Sequence, residues 1–291
     1  MSILTVFTPT YNRAYTLDRL YQSLVRQEGS SFCWLVIDDG STDGTEALIK
    51  SFIDEGKVDI RYFKQDNGGK QRAHNRAVEL CETELFLCLD SDDYLSDGAV
   101  SDILDCWESI DDKDSIAGII AQKGTSEYEI MGTHFPKDVT ESTLWDLNHK
   151  YRFRGETALV YRTDILKRYP FPVAPGEKFI SESYAYDQID QNYQMMLLRQ
   201  IVMICEYLPD GYTNNTRRTT RNNPIGYMRI KRLELDLSTS QLQRTKSTIL
   251  YLVGAYYSGD YWSYWKELPN KVLAALCIAP SFLIAKTIFA K

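Results

Sequence analysis

Leu85-Phe86-Leu87-Cys88-Leu89-Asp90-Ser91-Asp92-Asp93 is the stretch on which the fold turns. Five apolar residues followed at once by three aspartates in four positions describe a buried strand ending in a polar turn. The same shape occurs upstream, where Trp34-Leu35-Val36-Ile37 closes on Asp38-Asp39-Gly40, and again at residues 3–8, which run into Pro9-Thr10-Tyr11-Asn12-Arg13. A further strand is expected at 59–64 and another at 116–121. Between the strands the pattern predicts helices over 16–28, from a capping box of Asp43 and Glu46 to about residue 53, over 70–81 and over 98–109. Four strand–helix alternations in roughly 110 residues specify an α/β fold with a mostly parallel, Rossmann-like sheet and helices on both faces. Such sheets bind ligands at the carboxyl ends of their strands, where Asp38-Asp39 and the Asp90–Asp93 cluster both lie.

Beyond residue 121 the pattern weakens. It predicts a strand at 158–161, a Pro-rich loop at 170–176, a helix over 184–199, a strand at 201–207 and a turn at Asp210-Gly211. The last segment differs in charge. Residues 212–291 hold 12 Lys and Arg against four Asp and Glu, a net of +8, so the first 211 residues carry −15 of the total −7. With 44% hydrophobic and 25% charged residues in 291, the composition is that of a globular protein and excludes disorder, collagen and a disulfide-stapled miniprotein. The acidic total excludes a generic polyanion binder, so no nucleic-acid partner is expected. None of the six cysteines forms a C-x-x-C pair; they read as buried thiols of a cytosolic protein. Residues 1–7 run directly into structured sequence and read as lacking a leader. The sequon Asn214-Asn215-Thr216 then has no consequence.

Near the C-terminus, 272–285 is an uncharged run between Lys271 and Lys286. At about 1.5 Å per residue it reaches roughly 21 Å, short of the ~30 Å hydrocarbon core, and Pro280 interrupts it. An interfacial or re-entrant segment is expected, with a buried C-terminal helix as the alternative. Arg217, Arg218, Arg221, Arg229, Lys231 and Arg232 add a basic cluster suited to an anionic membrane surface, and Tyr261, Trp262, Tyr264 and Trp265 are candidate belt residues.

Four constellations carry chemistry. In the first, Asp90 and Asp92 at a strand end suit one divalent cation and the phosphates it bridges, since Mg²⁺ is usually held by one or two carboxylates with phosphate oxygens and water. Asp93 or Ser96 then caps the next helix. In the second, Asp39 is placed to accept the N–H of a pyrimidine base, while Ser41 to Asp43 serve the following helix as caps. In the third, Tyr11 can stack on a base and Arg13 can meet phosphate. In the fourth, Asn67-Gly68-Gly69-Lys70-Gln71-Arg72-Ala73-His74-Asn75 is a Gly-rich turn opening a helix, whose N-terminus favours phosphate. His134 and His149 lack metal-like spacing and read as structural or surface residues.

In this order and at these strand ends, the four segments resemble the nucleotide-sugar-binding half of the family 2 glycosyltransferases with the GT-A fold. The resemblance covers about 1–110 well and 150–211 loosely, giving a catalytic domain over 1–211 (acceptor half 111–211) and a basic helical extension over 212–291. It implies a UDP-sugar donor and an inverted product. It implies that Pro9, Tyr11 and Asp39 line the base and ribose pocket, that Lys70 and Asn75 sit by the nucleotide, and that Asp90 and Asp92 form the D-x-D pair for Mg²⁺ or Mn²⁺, with Asp92 the direct ligand. Two departures stand out. His74 replaces an Arg common in the family, and Ser181-Glu182-Ser183 stands where many members carry Glu-Asp. Glu182 is therefore the candidate general base, with Glu177, Asp187 and Asp190 as alternatives. The processive signature Gln-x-x-Arg-Trp is absent; Gln241-Leu242-Gln243-Arg244 is followed by Thr245, which implies single-sugar addition. A saccharide or lipid-linked saccharide acceptor at the inner face of the plasma membrane completes the expectation. Two other classes compete. A sugar-phosphate nucleotidyltransferase opens with a Gly-rich loop, and residues 8–14 contain no Gly. A non-catalytic sugar- or lipid-binding module would bind without turning over a UDP-sugar. Rossmann and P-loop glycine motifs are missing.

Overall fold

The computed structural model describes residues 2–29, 31–205 and 216–289. They fall into two compact units. One comprises 2–170 with 185–205; the other comprises 171–184 with 216–289.

The first unit opens with β1 (Leu4–Thr10), α1 (Ala14–Val25), β2 (Phe32–Asp38), α2 (Thr45–Glu55), β3 (Ile60–Lys64), α3 (Lys70–Leu80) and β4 (Leu85–Cys88). These strands lie in the order β3-β2-β1-β4, all parallel. The chain walks outward from β1 to β3 and then returns to place β4 on the other side of β1. Right-handed crossovers put α1 and α2 on one face and α3 on the opposite face. β1 and β2 are almost wholly buried, which is why they read as unbroken apolar runs. Trp34 anchors this half. It is fully buried, its indole N–H donates to Thr8 Oγ1 at 2.9 Å, and Tyr21 and Phe52 stack beside it with centroids 3.9 Å apart.

The rest of the sheet is mixed. It adds β5 (Tyr94–Leu95), α4 (Ala99–Glu108), β6 (Ile116–Gly124), β7 (Glu141–Ser142), α5 (Leu144–His149), β8 (Thr157–Arg162), α6 (Thr163–Leu166), α7 (Ser183–Ile189) and β9 (Gln194–Ile204). The strand order continues β4-β8-β6-β9-β5, with β7 also on β9. The helix expected over 184–199 stops at Ile189, and Gln194–Ile204 is a strand. Gln, Met, Leu and Arg favour a helix locally. Parallel pairing with β6 and burial of Met195, Leu197 and Leu198 override that preference. Residues 206–207 of the expected last strand, the Asp210-Gly211 turn, and Asn214 and Asn215 of the sequon lie outside the described residues. Two expected caps also differ. Gly44 and Gly98 occupy the N-cap positions of α2 and α4 and offer no side chain, but Asp43 still serves α2, its Oδ1 accepting the N–H of Thr45, the first helical residue, at 3.0 Å. Glu46 bonds Lys50 and Lys64 rather than closing a capping box.

The second unit contains α8 (Thr216–Asn222), α9 (Pro224–Leu237), α10 (Gln241–Ser258), α11 (Tyr261–Glu267), α12 (Lys271–Leu276) and α13 (Ile278–Thr287). Met228, Tyr251, Leu252, Ala255, Leu268 and Cys277 belong to its apolar core. A Cβ on Gly254 would sit 2.5 Å from Met228 Cγ, so the approach of α10 to α9 requires glycine there. The segment 171–184 is fastened to α9 from both sides. Glu177 accepts the N–H groups of Ile225 (2.7 Å) and Gly226 (2.8 Å), and Asn223 Oδ1 accepts those of Lys178 (2.8 Å) and Phe179 (3.0 Å). At least half of the expected basic cluster is engaged locally. Arg229 donates to the Pro172 carbonyl, Lys231 pairs with Glu234, and Arg232 pairs with Asp236 at 2.9 Å. Arg217 and Arg218 remain exposed.

Candidate active site

The sheet reverses its strand order between β1 and β4, and there the two strands part. Their register runs from Leu4↔Leu85 to Phe7↔Cys88, and the Leu89 N–H still reaches the Phe7 carbonyl at 2.8 Å. β1 continues to Thr10 against β2 alone. Pro9, half-buried, has no N–H to offer a ladder, so its position beyond the end of β4 is one a central strand can accept. Such a divergence opens the crevice where open α/β sheets bind ligands.

Asp90-Ser91-Asp92-Asp93 turns tightly at the mouth of this crevice, with Asp93 N–H donating to the Asp90 carbonyl at 3.0 Å. Its three carboxylates have separate fates. Asp90 lies 2.7 and 2.9 Å from Lys70 Nζ, at the first residue of α3. Burial raises its carboxyl, yet the charges of Lys70 and Lys123 outweigh that and hold it below the usual carboxylate range. Asp92 is half-buried; loss of solvent and then the negative charge of Asp90 push its carboxyl up, with Arg13 and Lys70 opposing. Asp93 caps no helix. It is buried, its Oδ2 lying 3.3 Å from Lys123 Nζ and accepting the Cys205 thiol at 3.0 Å, and burial pushes it up to about 6. Lys123 and Cys205, which the sequence did not single out, thus anchor the turn from below. Arg19 holds it from the side by donating to the Asp92 carbonyl at 2.9 Å. Among the described residues, no group of three or more His, Cys, Asp or Glu side chains could by itself hold a metal ion. The donor set is two hard carboxylates beside an open crevice, which fits an ion completing its shell with ligand phosphates and water.

Asp39 has a structural task that its sequence context did not disclose. It is buried, and Oδ1 accepts Gln65 Nε2 and the Gly68 N–H, both at 2.8 Å, while Oδ2 accepts the Gly69 N–H at 2.7 Å. These bonds tie the end of β2 to the glycine turn that starts α3. Gly69 adopts φ +95°, a value open to glycine but to few other residues. Asp38 is fully buried and shapes the neighbouring turn, accepting Ser41 N–H and Tyr62 O–H at 2.7 Å each. Asn12 joins the same knot. In the left-handed region at φ +52°, it accepts the Thr42 N–H at 2.8 Å and donates its own N–H to Ser41 Oγ at 2.9 Å. Its place in a Pro-Thr-Tyr-Asn turn was the available signal, since Asn tolerates this backbone. Tyr11 is exposed beside it, and the Arg13 guanidinium lies 5.6 Å from the Tyr15 ring centroid. On α3, Asn75 is about 140° around the helix from Lys70, so the helix does not direct both to one point. His74 is buried with Phe7 and Phe86 edge-on at 5.8 and 5.2 Å.

The base candidates separate as well. Glu177 is buried and spent on the N-terminus of α9. Asp190 is buried, with Oδ2 accepting the Trp145 N–H at 2.8 Å at the start of α5; burial pushes its carboxyl up to about 7. Glu182 and Asp187 are half-buried, immediately before and within α7.

A parallel β3-β2-β1-β4 half with a carboxylate turn at its switch point, joined to a mixed extension, is the GT-A architecture. The Glycosyl transferase family 2 model matches residues 5–169, and the chain belongs to that family. Among curated proteins it is 28% identical over 169 residues to the poly(ribitol-phosphate) β-N-acetylglucosaminyltransferase TarS of Staphylococcus aureus (strain MW2). That match covers 57% of this chain but only 29% of TarS. It is 24% identical to the GalNAc(5)-diNAcBac-PP-undecaprenol β-1,3-glucosyltransferase of Campylobacter jejuni, over 98% of this chain and 96% of the relative. The structure of S. aureus TarS 1–349 in complex with UDP-GlcNAc superposes with a TM-score of 0.59 at 17% identity, covering 91% of this chain and 89% of that one. The mannosyltransferase PcManGT of Pyrobaculum calidifontis, in complex with GDP-Man and Mn²⁺, gives 0.56 at 14% identity, covering 99% and 82%.

Proposed function

We propose that this chain is an inverting glycosyltransferase that moves one sugar from a UDP-sugar to the hydroxyl of a saccharide, or of a lipid-linked saccharide, in bacterial polysaccharide synthesis. The observation that carries the reading is the Asp90–Asp92 turn, neutralised on one side by Lys70, at the point where β1 and β4 part. Asp92 and Asp90 would hold Mg²⁺ or Mn²⁺, which supplies charge neutralisation for the departing diphosphate. Lys70 adds a fixed positive charge at the helix terminus facing the same carboxylate. Asp39 has three donors on a carboxylate that offers about four acceptor sites, which leaves room for the N–H of a pyrimidine base. Tyr11, exposed at the end of β1, offers that base a stacking face, and Arg13 a phosphate contact. Glu182 takes the acceptor proton as the hydroxyl attacks C1 from the side opposite the leaving group. The undecaprenol-linked saccharide in the name of the Campylobacter relative supports a lipid-linked acceptor, which a peripheral enzyme at the cytoplasmic face of the membrane would meet.

Titration calorimetry with UDP, GDP and a panel of their sugars, with Mg²⁺, Mn²⁺ or EDTA, tests the donor site. UDP-sugar binding that requires the ion and falls at least tenfold in Asp92→Asn is the expected result. Equal affinity in EDTA and in Asp92→Asn would overturn the site assignment.

A further inference from the structure

The α12–α13 pair packs Leu273 and Phe282 against the core of the second unit and leaves three other large apolar side chains exposed. Ala274, Cys277, Ser281 and Ala285 are buried, whereas Val272, Leu276 and Leu283 are 72%, 71% and 65% exposed, with exposed Ala279 between the leucines. At about 100° per residue, positions 272, 276, 279 and 283 fall within an arc of roughly 60°. The buried set occupies the opposite side. Cys277, which joins the helices, stays right-handed helical (φ −84°, ψ −7°), so the phase carries across the junction. The orientation is fixed rather than incidental. Tyr261 O–H meets Ser281 Oγ at 2.9 Å, Tyr257 O–H donates to the Ala285 carbonyl at 2.7 Å, and the Tyr261 ring lies 4.7 Å from that of Phe282. Rotating the leucines inward would break all three contacts.

Charge indicates what covers the stripe. Residues 268–289 contain no Asp or Glu, and Lys271 and Lys286 are exposed towards its two ends; just outside it, exposed Lys266 stands beside exposed Glu267. A second copy of this chain would set Lys271 and Lys286 against their counterparts with no carboxylate between them to meet them. No helix among the described residues is long and apolar enough to cross a membrane. We infer that α12–α13 is a lipid-docking surface that lies flat in the headgroup–acyl boundary of an anionic bilayer, with Val272, Leu276, Ala279 and Leu283 inserted and Lys266 and Lys286 among the lipid phosphates, while Lys271 caps α11 through the Leu268 carbonyl at 2.8 Å. The basic cluster of α8 and α9 is not needed for this. Of the four expected belt aromatics Tyr261 is buried, Tyr264 and Trp265 are half-buried, and only Trp262 is exposed. The inference deepens the membrane placement proposed above and rests on none of the donor chemistry.

Flotation of the full chain with phosphatidylcholine vesicles, and with phosphatidylcholine–phosphatidylglycerol vesicles, tests it. The wild type should float with the anionic vesicles and stay at the bottom with the neutral ones. The triple variant Val272→Gln/Leu276→Gln/Leu283→Gln should lose tenfold or more in partition, at unchanged UDP affinity, which separates this surface from the donor site. Lys266→Gln/Lys286→Gln should weaken binding less and reduce its salt dependence. Hydrogen exchange on the wild type, which needs no variant, should show vesicle-induced protection at 271–287. No flotation of the wild type, equal flotation of the triple variant, or protection elsewhere would overturn the inference. So would a wild-type dimer that the triple variant dissociates without any vesicle binding, which would assign the face to a protein contact.

Discussion

Asp39→Asn separates the two tasks assigned to one carboxylate. In the wild type its oxygens hold three donors: Gln65 Nε2 and the backbone N–H groups of Gly68 and Gly69, at 2.7–2.8 Å. Asn keeps one acceptor oxygen and turns the other into an NH₂ group that must face an N–H. At least one buried donor is orphaned, at about 1–3 kcal/mol, and the remaining bonds lose the strength a charged acceptor gives them. A loss of about 2–4 kcal/mol follows, or a Tm drop on the order of 10 °C for a domain of this size. Urea unfolding followed by far-UV circular dichroism, without nucleotide, measures it, with Gln65→Ala as a control that removes one bond and costs about 1 kcal/mol. If Asp39 acted only on the base, the ligand-free variant would unfold at the wild-type midpoint and only UDP affinity would fall. An unchanged midpoint would therefore refute the pinning of the glycine turn.

Three further outcomes are expected. Glu182→Gln should keep UDP-sugar affinity and lose transfer by about 10²–10⁴-fold, read from single-turnover rates; near-normal turnover would move the proposed role of base to Asp187. Asp190→Asn should become increasingly stable relative to wild type as pH rises. A carboxyl raised to about 7 in the folded state, against 3.8 in the free side chain, makes wild-type stability fall between those two values and level off above them. The difference reaches at most about 4 kcal/mol by pH 8, measured by urea melts at several pH values. Gly226→Ala would bring a Cβ within 2.5 Å of the Phe179 carbonyl, so it should cost about 1–3 kcal/mol and open residues 171–184 to limited proteolysis.

The parallel half of the sheet was legible because β1, β2 and β4 are buried on both faces and end in Asp and Pro, so that composition alone marks strand and stop. The first part of the 194–204 strand was not, although 201–204 was read as strand, because the helix-favouring residues 194–199 become a strand only through pairing with β6, a contact more than 70 residues away in sequence. Within the site, carboxylates at strand ends were visible as such, but their division of labour was not. Asp93 looked like a cap and is instead the foot of the turn, because Lys123 and Cys205 reach it from β6 and the end of β9. Asp39 looked free for a ligand, because nothing in its own segment shows that Gly68 and Gly69 fold back onto it. Motif reading identifies the chemical groups; long-range hydrogen bonds decide which of them remain available.

The fastening of 171–184 to α9 has a consequence for how such enzymes diversify. Glu177 and Asn223 make the residues just before Glu182 part of the same compact body as the C-terminal helices. Exchanging the helical extension between relatives while keeping the residues before 211 would mismatch this lock and leave the proposed base on an unsupported loop. Residues 171–184 and the C-terminal helices should therefore be inherited as a package, loop and helices together. Chimeras that cut at 170 and 185 and carry the C-terminal helices with the insert should remain folded, whereas those that cut only after 211 should not.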